Sequence, residues 1–250
     1  MKLSQYLKIL DLSKRTFEEY LNWKEDEIAK MPAEENGISS EKSIKTVPLK
    51  NALSPKEKLA LLKEIIDSCA ECPLGCTRLN AVAGIGSESA DLMFIGEGPG
   101  FDEDHIGEPF VGRAGQLLTK IIEAMGYTRE SVYIANIVKC HPMINPKNPE
   151  KRSNDRPPTP LEIETCRHYL DEQIEIIKPK IIVTLGASST KGLLYSQESI
   201  SKMRGVIKEY KGIKLMPTYH PAALLRNPNL KKFVWEDMKR VMQYLNAGKI

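Results

Sequence analysis

Apolar positions follow two periods along this chain. Leu92-Met93-Phe94-Ile95 is a short apolar run, followed at once by the Gly-rich turn Gly96-Glu97-Gly98-Pro99-Gly100. Beyond it, Leu117, Leu118, Ile121, Ile122 and Met125 recur at helical spacing, and the pattern stops at Gly126. A second strand is expected over 132–138. Thr159-Pro160-Leu161-Glu162 has the residues of a capping box with Pro at the first helical position. Ile163, Cys166, Leu170, Ile174 and Ile177 then fall on one face at steps of three and four. Segments 180–185 and 213–216 predict a third and a fourth strand. Strands separated by helices imply an α/β fold, with three αβα layers around a central, mostly parallel four-stranded sheet. In such sheets ligands lie beyond the carboxyl ends of the strands. Segments 96–100, 136–140, 186–188 and 220–225 occupy those ends, so the unusual residues gather at one rim.

The N-terminal part reads differently. Leu7, Leu10, Phe17, Leu21 and Ile28 form an apolar face on an expected helix over 3–29, and the polar, aperiodic stretch 31–53 reads as a linker. Ser54-Pro55-Lys56-Glu57 is another capping box, and the helix it opens runs directly into Cys69. Two units follow: a helical extension with its linker over 1–53, and one α/β domain over 54–250.

Composition narrows the class. With 41% apolar residues among 250 there is material for a sizeable core, which excludes wholesale disorder. Aromatics at 6% and 16 prolines suit an α/β plan better than a thick β-sandwich. No run of about eighteen apolar residues exists to cross a membrane. Lys8, Asp11, Lys14 and Arg15 interrupt the N-terminal apolar positions, unlike a secretory signal. A cytosolic, cytoplasmic chain is expected. Net charge is only +3, but residues 201–240 hold ten basic side chains against three acidic ones. That stretch is either a solvated face or a footprint for a polyanion.

Cysteine spacing carries the first chemical hint. Disulfides are disfavoured in a reducing compartment. Cys69 and Cys72 form C-x2-C, Cys76 follows, and Cys140 and Cys166 lie far along the chain. Four thiolates hold either zinc or an iron–sulfur cluster. A single C-x2-C with distant singletons leans toward the cluster, although Cys166 also suits an apolar helix face.

Other candidates sit at the expected rim. The Gly-rich turn lacks the Lys of a phosphate-binding loop, and its acidic residues would repel a phosphate. Glu97, between two glycines at a strand end, is a carboxylate suited to act as a base or to orient a water. Asn136 presents an acceptor and a donor side by side, matching a pyrimidine edge, or simply closes an Asx turn. Phe110 is either a core ring or a stacking platform. His220 precedes Pro221, and Leu224-Leu225-Arg226 pairs apolar tips with a cation, as a wedge into a base stack would.

Together these segments resemble the family 4 uracil-DNA glycosylases, the iron–sulfur branch of that superfamily, over about residues 66–245. The resemblance rests on ordered matches: C-x2-C-x-L from Cys69, GEGPG-x3-D from Gly96, GEPFVGRAGQLL from Gly107, NIVKC from Asn136 and HPA-x-LLRNP from His220. It implies a monofunctional glycosylase that hydrolyses the N-glycosidic bond of uracil in single- or double-stranded DNA, starting base-excision repair. Cys69, Cys72, Cys140 and Cys166 match the ligands of a 4Fe-4S cluster, leaving Cys76 spare. Phe110 matches the ring stacked on the flipped uracil, Asn136 the amide that reads its edge, and His220 the donor to its oxygen. Glu97 takes the water-handling position. Gly98 falls among the base-binding residues, and Glu103 matches an acidic residue that helps to reject the thymine methyl group. Leu224, Leu225 and Arg226 match the loop that enters the minor groove.

The resemblance further implies a monomer acting without a membrane. Lys139 of NIVKC is the one Lys in these motifs and is not read as placed to form a Schiff base, so strand cleavage is not expected. Two rivals remain: a relative that binds or traps uracil-containing or abasic DNA without turnover, and a zinc-stabilised interaction protein. Trapping relatives carry a histidine-bearing insertion after the Gly-rich segment, and Pro109–Ala114 here continues without one. The stretch from Cys140 to Cys166 is longer than the compact family loop. It is expected either to be disordered or to cover DNA with Lys147, Lys151, Arg152 and Arg156.

Overall fold

A computed structural model describes residues 53–247. The helix expected over 3–29 and all but the last residue of the linker lie outside that range.

The domain opens on α1 (Pro55–Ser68). Its N-cap Ser54 accepts from the Glu57 backbone N–H at 3.3 Å, and the Glu57 carboxylate accepts from the Ser54 N–H at 2.7 Å. Both halves of the capping box are therefore made. The long helix α4 (Pro160–Ile177) starts the same way from Thr159 and Glu162, and stops at Lys178 in the left-handed region. Between them lie β1 (Ile85–Gly86), β2 (Leu92–Gly96), α2 (Phe101–Ile106), α3 (Arg113–Ala124) and β3 (Tyr133–Asn136). After α4 come β4 (Ile181–Leu185), α5 (Ala187–Leu194), α6 (Ile200–Met203), β5 (Lys208–Tyr210), β6 (Ile213–Thr218), α7 (Pro221–Arg226) and α8 (Lys231–Ala247).

The sheet order is β1-β3-β2-β4-β6-β5. Strands β3, β2, β4 and β6 are parallel, with Phe94 opposite Ile134 and Val183. The expected parallel four-stranded sheet is thus the centre of a six-stranded one. Two short antiparallel edge strands, β1 and β5, complete it. Neither edge strand carries a periodic apolar signature. β1 is two residues long, and β5 is Lys-Glu-Tyr, held by a two-residue hairpin in which Lys211 and Gly212 both have positive φ.

Every residue of β2 is buried, because helices cover both faces. Alternation sends Met93 and Ile95 into one core with Leu62 and Ile66 of α1, Leu170 and Ile174 of α4 and Leu193 of α5. Leu92 and Phe94 enter the other, with Leu118 and Ile122 of α3 and Val234, Met238 and Val241 of α8. This is the three-layer αβα arrangement. α8 is absent from the expected elements, although Val234, Met238, Val241 and Leu245 recur at helical steps. Among the described residues no helix is long and apolar enough to cross a membrane. The chain leaves β2 toward β3 on one side and returns to β4 on the other, so the crevice between the loops after β2 and β4 is a topological switch point.

Candidate active site

A cavity of about 530 Å³ opens at this crevice, and its walls include Glu97, Phe110, Asn136, Ser188, His220 and Arg226. Glu97 and Phe110 follow β2, Asn136 ends β3, Ser188 follows β4, and His220 and Arg226 follow β6. Gly98 and Glu103 line the same space.

Phe110 is 6% exposed and has φ +55, an uncommon conformation for an aromatic residue. The surroundings enforce it. Arg129 donates to the carbonyls of Pro109 and Phe110 at 2.8 and 3.2 Å. Glu103 accepts from the backbone N–H of Val111 at 2.9 Å, Gly112 at 3.0 Å and Gly100 at 3.2 Å. Two glycines allow the close approach: a Cβ on Gly96 would lie 2.5 Å from Phe110 Cζ, and one on Gly115 would run into the Phe110 carbonyl. An unusual backbone conformation held from several sides is the pattern of a preorganised site. Glu103 was expected to meet the base at its methyl position. Although it lines the cavity, both its oxygens are occupied by main-chain donors, so the structure makes it the clasp between the Gly-rich turn and the Phe110 loop.

His220 caps α7, its Nδ1 accepting from the Ala222 N–H at 3.1 Å. With Nδ1 an acceptor, the neutral ring carries its proton on Nε2. Burial, then the charge of Arg226, pulls the His220 pKa down to about 4. The imidazole is therefore a neutral donor at physiological pH. The Phe110 ring stands 5.7 Å away.

Asn136 is 1% exposed at the end of β3, and its Oδ1 has no hydrogen-bond partner among the described residues. An orphaned buried acceptor is costly unless a ligand satisfies it. Glu97 follows β2. Burial raises its carboxyl above the usual range, partly offset by a hydrogen bond from Ser188. Ser188 was not among the expected site residues. Its only sequence signal is its place just past the strand end at Gly186.

The model of the uracil DNA glycosylase superfamily matches residues 83–239. A type-4 uracil-DNA glycosylase of Sulfurisphaera tokodaii is 46% identical over 198 residues, spanning 75% of this chain and 84% of that protein. That of Thermotoga maritima is 42% identical over 194 residues, spanning 76% and 96%. The chain belongs to the type-4 branch of the uracil-DNA glycosylase superfamily. A DNA polymerase of Bacillus phage SP01 is also similar, at 34% identity over 168 residues, which are 66% of this chain and 17% of that protein.

Within this glycosylase fold the expected wedge divides. Leu225 is 42% exposed and Arg226 is exposed, whereas Leu224 is 1% exposed and packs with Leu118 and Val234. Leu224 was expected to enter the minor groove. On a helical turn, neighbouring residues face different ways, and the structure turns Leu224 into the core.

Cys69, Cys72, Cys140 and Cys166 line one small cavity, and Cys76 is exposed outside it. α1 delivers the first pair, the turn after β3 delivers Cys140, and α4 delivers Cys166. Arg78 Nη1 donates to Cys140 Sγ at 2.9 Å, and the Lys139 backbone N–H donates to Cys166 Sγ at 3.3 Å. Among the described residues no three Cys, His, Asp or Glu side chains are close enough to form a metal-binding group. The donor set still fits one: four thiols, with cationic and N–H donors aimed at the sulfurs, while Glu71, the carboxylate in the same lining, accepts from the Tyr169 hydroxyl at 3.1 Å. Burial pushes the Cys140 thiol up to about 11 and Cys166 up to about 12. A metal binding here must therefore displace protons.

The long stretch after Cys140 is an ordered wall of the cavity. Met143 and Asp155 form an antiparallel bridge, and the Asn154 carboxamide donates to the carbonyls of Asn145 and Asn148 at 2.9 and 3.0 Å. Arg156 grips both oxygens of Glu162 at 2.8 and 2.7 Å. Arg152 pairs with Asp102 at 2.9 Å and lies over the Phe101 ring. The buried His141 ring joins Asp104 at 3.3 Å to Asp155 at 2.7 Å. Of the two expectations for this segment, disorder is not what the structure shows; Arg156 is engaged by Glu162, whereas Arg152, although paired with Asp102, keeps a side chain that is 75% exposed.

Proposed function

We propose that this chain is a monofunctional uracil-DNA glycosylase. It hydrolyses the bond between uracil and deoxyribose in DNA and leaves free uracil and an abasic site. The observation that carries the reading is the common cavity of Phe110, Asn136 and His220, with an unpartnered Asn136 acceptor inside it.

The target nucleotide leaves the stack at a cost of a few kcal/mol, least for a poorly paired base. Leu225 and Arg226, on the exposed side of α7, fill the gap and meet the backbone, and the basic 201–240 stretch supplies phosphate contacts. The extruded base lies against the Phe110 ring. Asn136 Oδ1 accepts the N3–H of uracil, while its amide donates to O4. Cytosine, with a bare N3 acceptor and a 4-amino donor, opposes both contacts. As the glycosidic bond lengthens, its electron pair goes to the base and the sugar becomes cation-like. His220 Nε2–H donates to the uracil O2 as negative charge develops there, and a neutral donor does this without first losing a proton. Glu97 holds the attacking water and takes its proton as the new C1′–O bond forms.

Cys69, Cys72, Cys140 and Cys166 hold a 4Fe-4S cluster in this reading. When bound, the cluster cross-links α1, the turn after β3 and α4. Five cysteines without a disulfide among them suit a reducing cytosol. The test is a single-turnover assay on uracil-containing single-stranded and duplex DNA. Free uracil and an alkali-labile site are expected. Tight binding without release would replace this reading with a product-trapping one.

A further inference from the structure

Lys139 is a buried amine that the chemistry above does not use. It is 1% exposed, and only Phe94 precedes it among the largest fully buried side chains. Its Nζ donates to the main-chain carbonyl of Asn136 at 2.8 Å and to Gln173 Oε1 at 2.7 Å. Gln173, on α4, donates in turn to the Ala83 carbonyl at 2.8 Å and to the Tyr133 hydroxyl at 3.2 Å. The Lys139 main chain is equally committed: its N–H donates to Cys166 Sγ, and its carbonyl accepts from Val82 N at 2.8 Å.

We propose that Lys139 is a positioning residue for base excision, tying the Asn136 main chain to α4 and thereby holding the Asn136 carboxamide in register with the base. The inference rests on the assignment of Asn136 as the base reader. β3 ends at Asn136, so no further ladder partner fixes the orientation of its carbonyl beyond that point. The next two N–H groups still pair with Gly96 and Glu97, at 3.0 and 3.2 Å. Lys139 closes the turn by reaching back three residues. Its second bond anchors the turn to a helix instead of to solvent, where an exposed lysine would wander. Among the described residues the carboxamide Oδ1 has no hydrogen-bond partner, and a Cβ on Gly96 would lie 2.4 Å from it. Its aim is thus set by the main chain that Lys139 holds. Because residue 140 and Cys166 flank the same lysine, the link also runs from the four-cysteine cavity to the base pocket.

The experiment is a double-mutant cycle in single-turnover uracil release with the full chain: wild type, Lys139→Met, Asn136→Ala and the double variant. Lys139→Met should slow release at least about tenfold in the wild type and less than about twofold in the Asn136→Ala background. A merely structural lysine would give independent losses that multiply, and that result, or an unchanged Lys139→Met rate, overturns the proposal. The iron content and visible spectrum of each protein show whether the four-cysteine site is intact. Should Lys139→Met fail to fold, Gln173→Leu removes one of its two anchors and enters the same cycle, with a smaller loss that must again vanish beside Asn136→Ala. If the wild type itself releases no uracil, the glycosylase reading fails, and the positioning role is then decided by the crystal structure of Lys139→Met. A displaced Asn136 carboxamide supports it; an unmoved one refutes it.

Discussion

The Phe110 and His220 rings lie with centroids 5.7 Å apart and planes inclined by 34°. One ring sits behind the Gly-rich turn of β2 and the other at the start of α7, so the end of the sheet brings them to a single cavity. A base lying on Phe110 is then beside the imidazole donor. Stacking of one base on an aromatic side chain is worth about 1–3 kcal/mol. Phe110→Ala should therefore reduce uracil release by about ten- to a hundredfold, while Phe110→Tyr retains most of it. Rates within about twofold of wild type for the alanine variant would reduce Phe110 to a packing residue.

In the proposed reaction Asn136 and His220 supply the polar groups that meet the leaving base. Loss of one preorganised donor of this kind costs about a hundred- to a thousandfold in kcat. Asn136→Ala and His220→Ala should each fall in that range in single-turnover release and leave DNA binding largely intact. Equal losses in binding and turnover would mean that the variants had damaged the surface and not the chemistry.

Protonation should separate the roles of Glu97 and His220. A base works only when ionised, and burial raises the Glu97 carboxyl above the usual carboxylate range. Release should therefore increase as pH climbs through that raised value, and Glu97→Gln should remove the dependence along with most of the activity. His220 adds no second limb near pH 6.5, because burial and Arg226 keep it neutral down to about 4. Its depressed pKa has a stability consequence of definite sign. The unfolded chain takes up this proton below about pH 6.5 and the folded protein only near 4, so stability falls as pH drops through that interval. Thermal unfolding of His220→Ala should show a shallower loss over the same window.

The four-cysteine cavity makes a spectroscopic prediction. Purified protein should be brown, absorbing at roughly 400 nm, as iron–sulfur proteins do. Cys140→Ser or Cys166→Ser should bleach it and lower Tm, whereas Cys76→Ser, exposed and outside the cavity, should change neither. A colourless protein with stoichiometric zinc would leave the thiolate site in place and exclude the cluster.

What the sequence discloses depends on how local the physics is. The central strands were legible because both faces of Leu92–Gly96 and its neighbours are buried, which writes continuous apolar runs. Ser54 and Thr159 announced their helices through capping boxes made within four residues. β5 was silent because a hairpin partner, and not its own Lys-Glu-Tyr, makes it a strand. Phe110, Asn136 and His220 were identifiable by motif, yet their convergence depends on sheet order. Ser188 was placed at the rim by its strand end but without a role, and the wall at 143–158 was not legible, since it meets the cavity only through tertiary packing. Leu224 shows the limit of reading adjacent residues together: its neighbour Leu225 is exposed while it is core.

Glu103 offers the sharpest separation between two roles. Its Oε1 accepts from Val111 and Gly112 and its Oε2 from Gly100, so one side chain holds the loop that keeps Phe110 at positive φ. Glu103→Ala leaves three N–H groups in a part-buried place without their acceptor, a loss of about 1–3 kcal/mol. In a domain of this size each kcal/mol lowers Tm by roughly 2–4 °C. Glu103→Gln keeps one acceptor oxygen but turns an amide against a main-chain donor, so it should fall between wild type and alanine. Tm and uracil release should decline in that same order, because both depend on the clasp. Thymine release should stay undetectable in all three proteins. If Glu103 instead screened the base at its methyl position, the alanine variant would gain activity on thymine while its Tm barely moved, and the two measurements would part company.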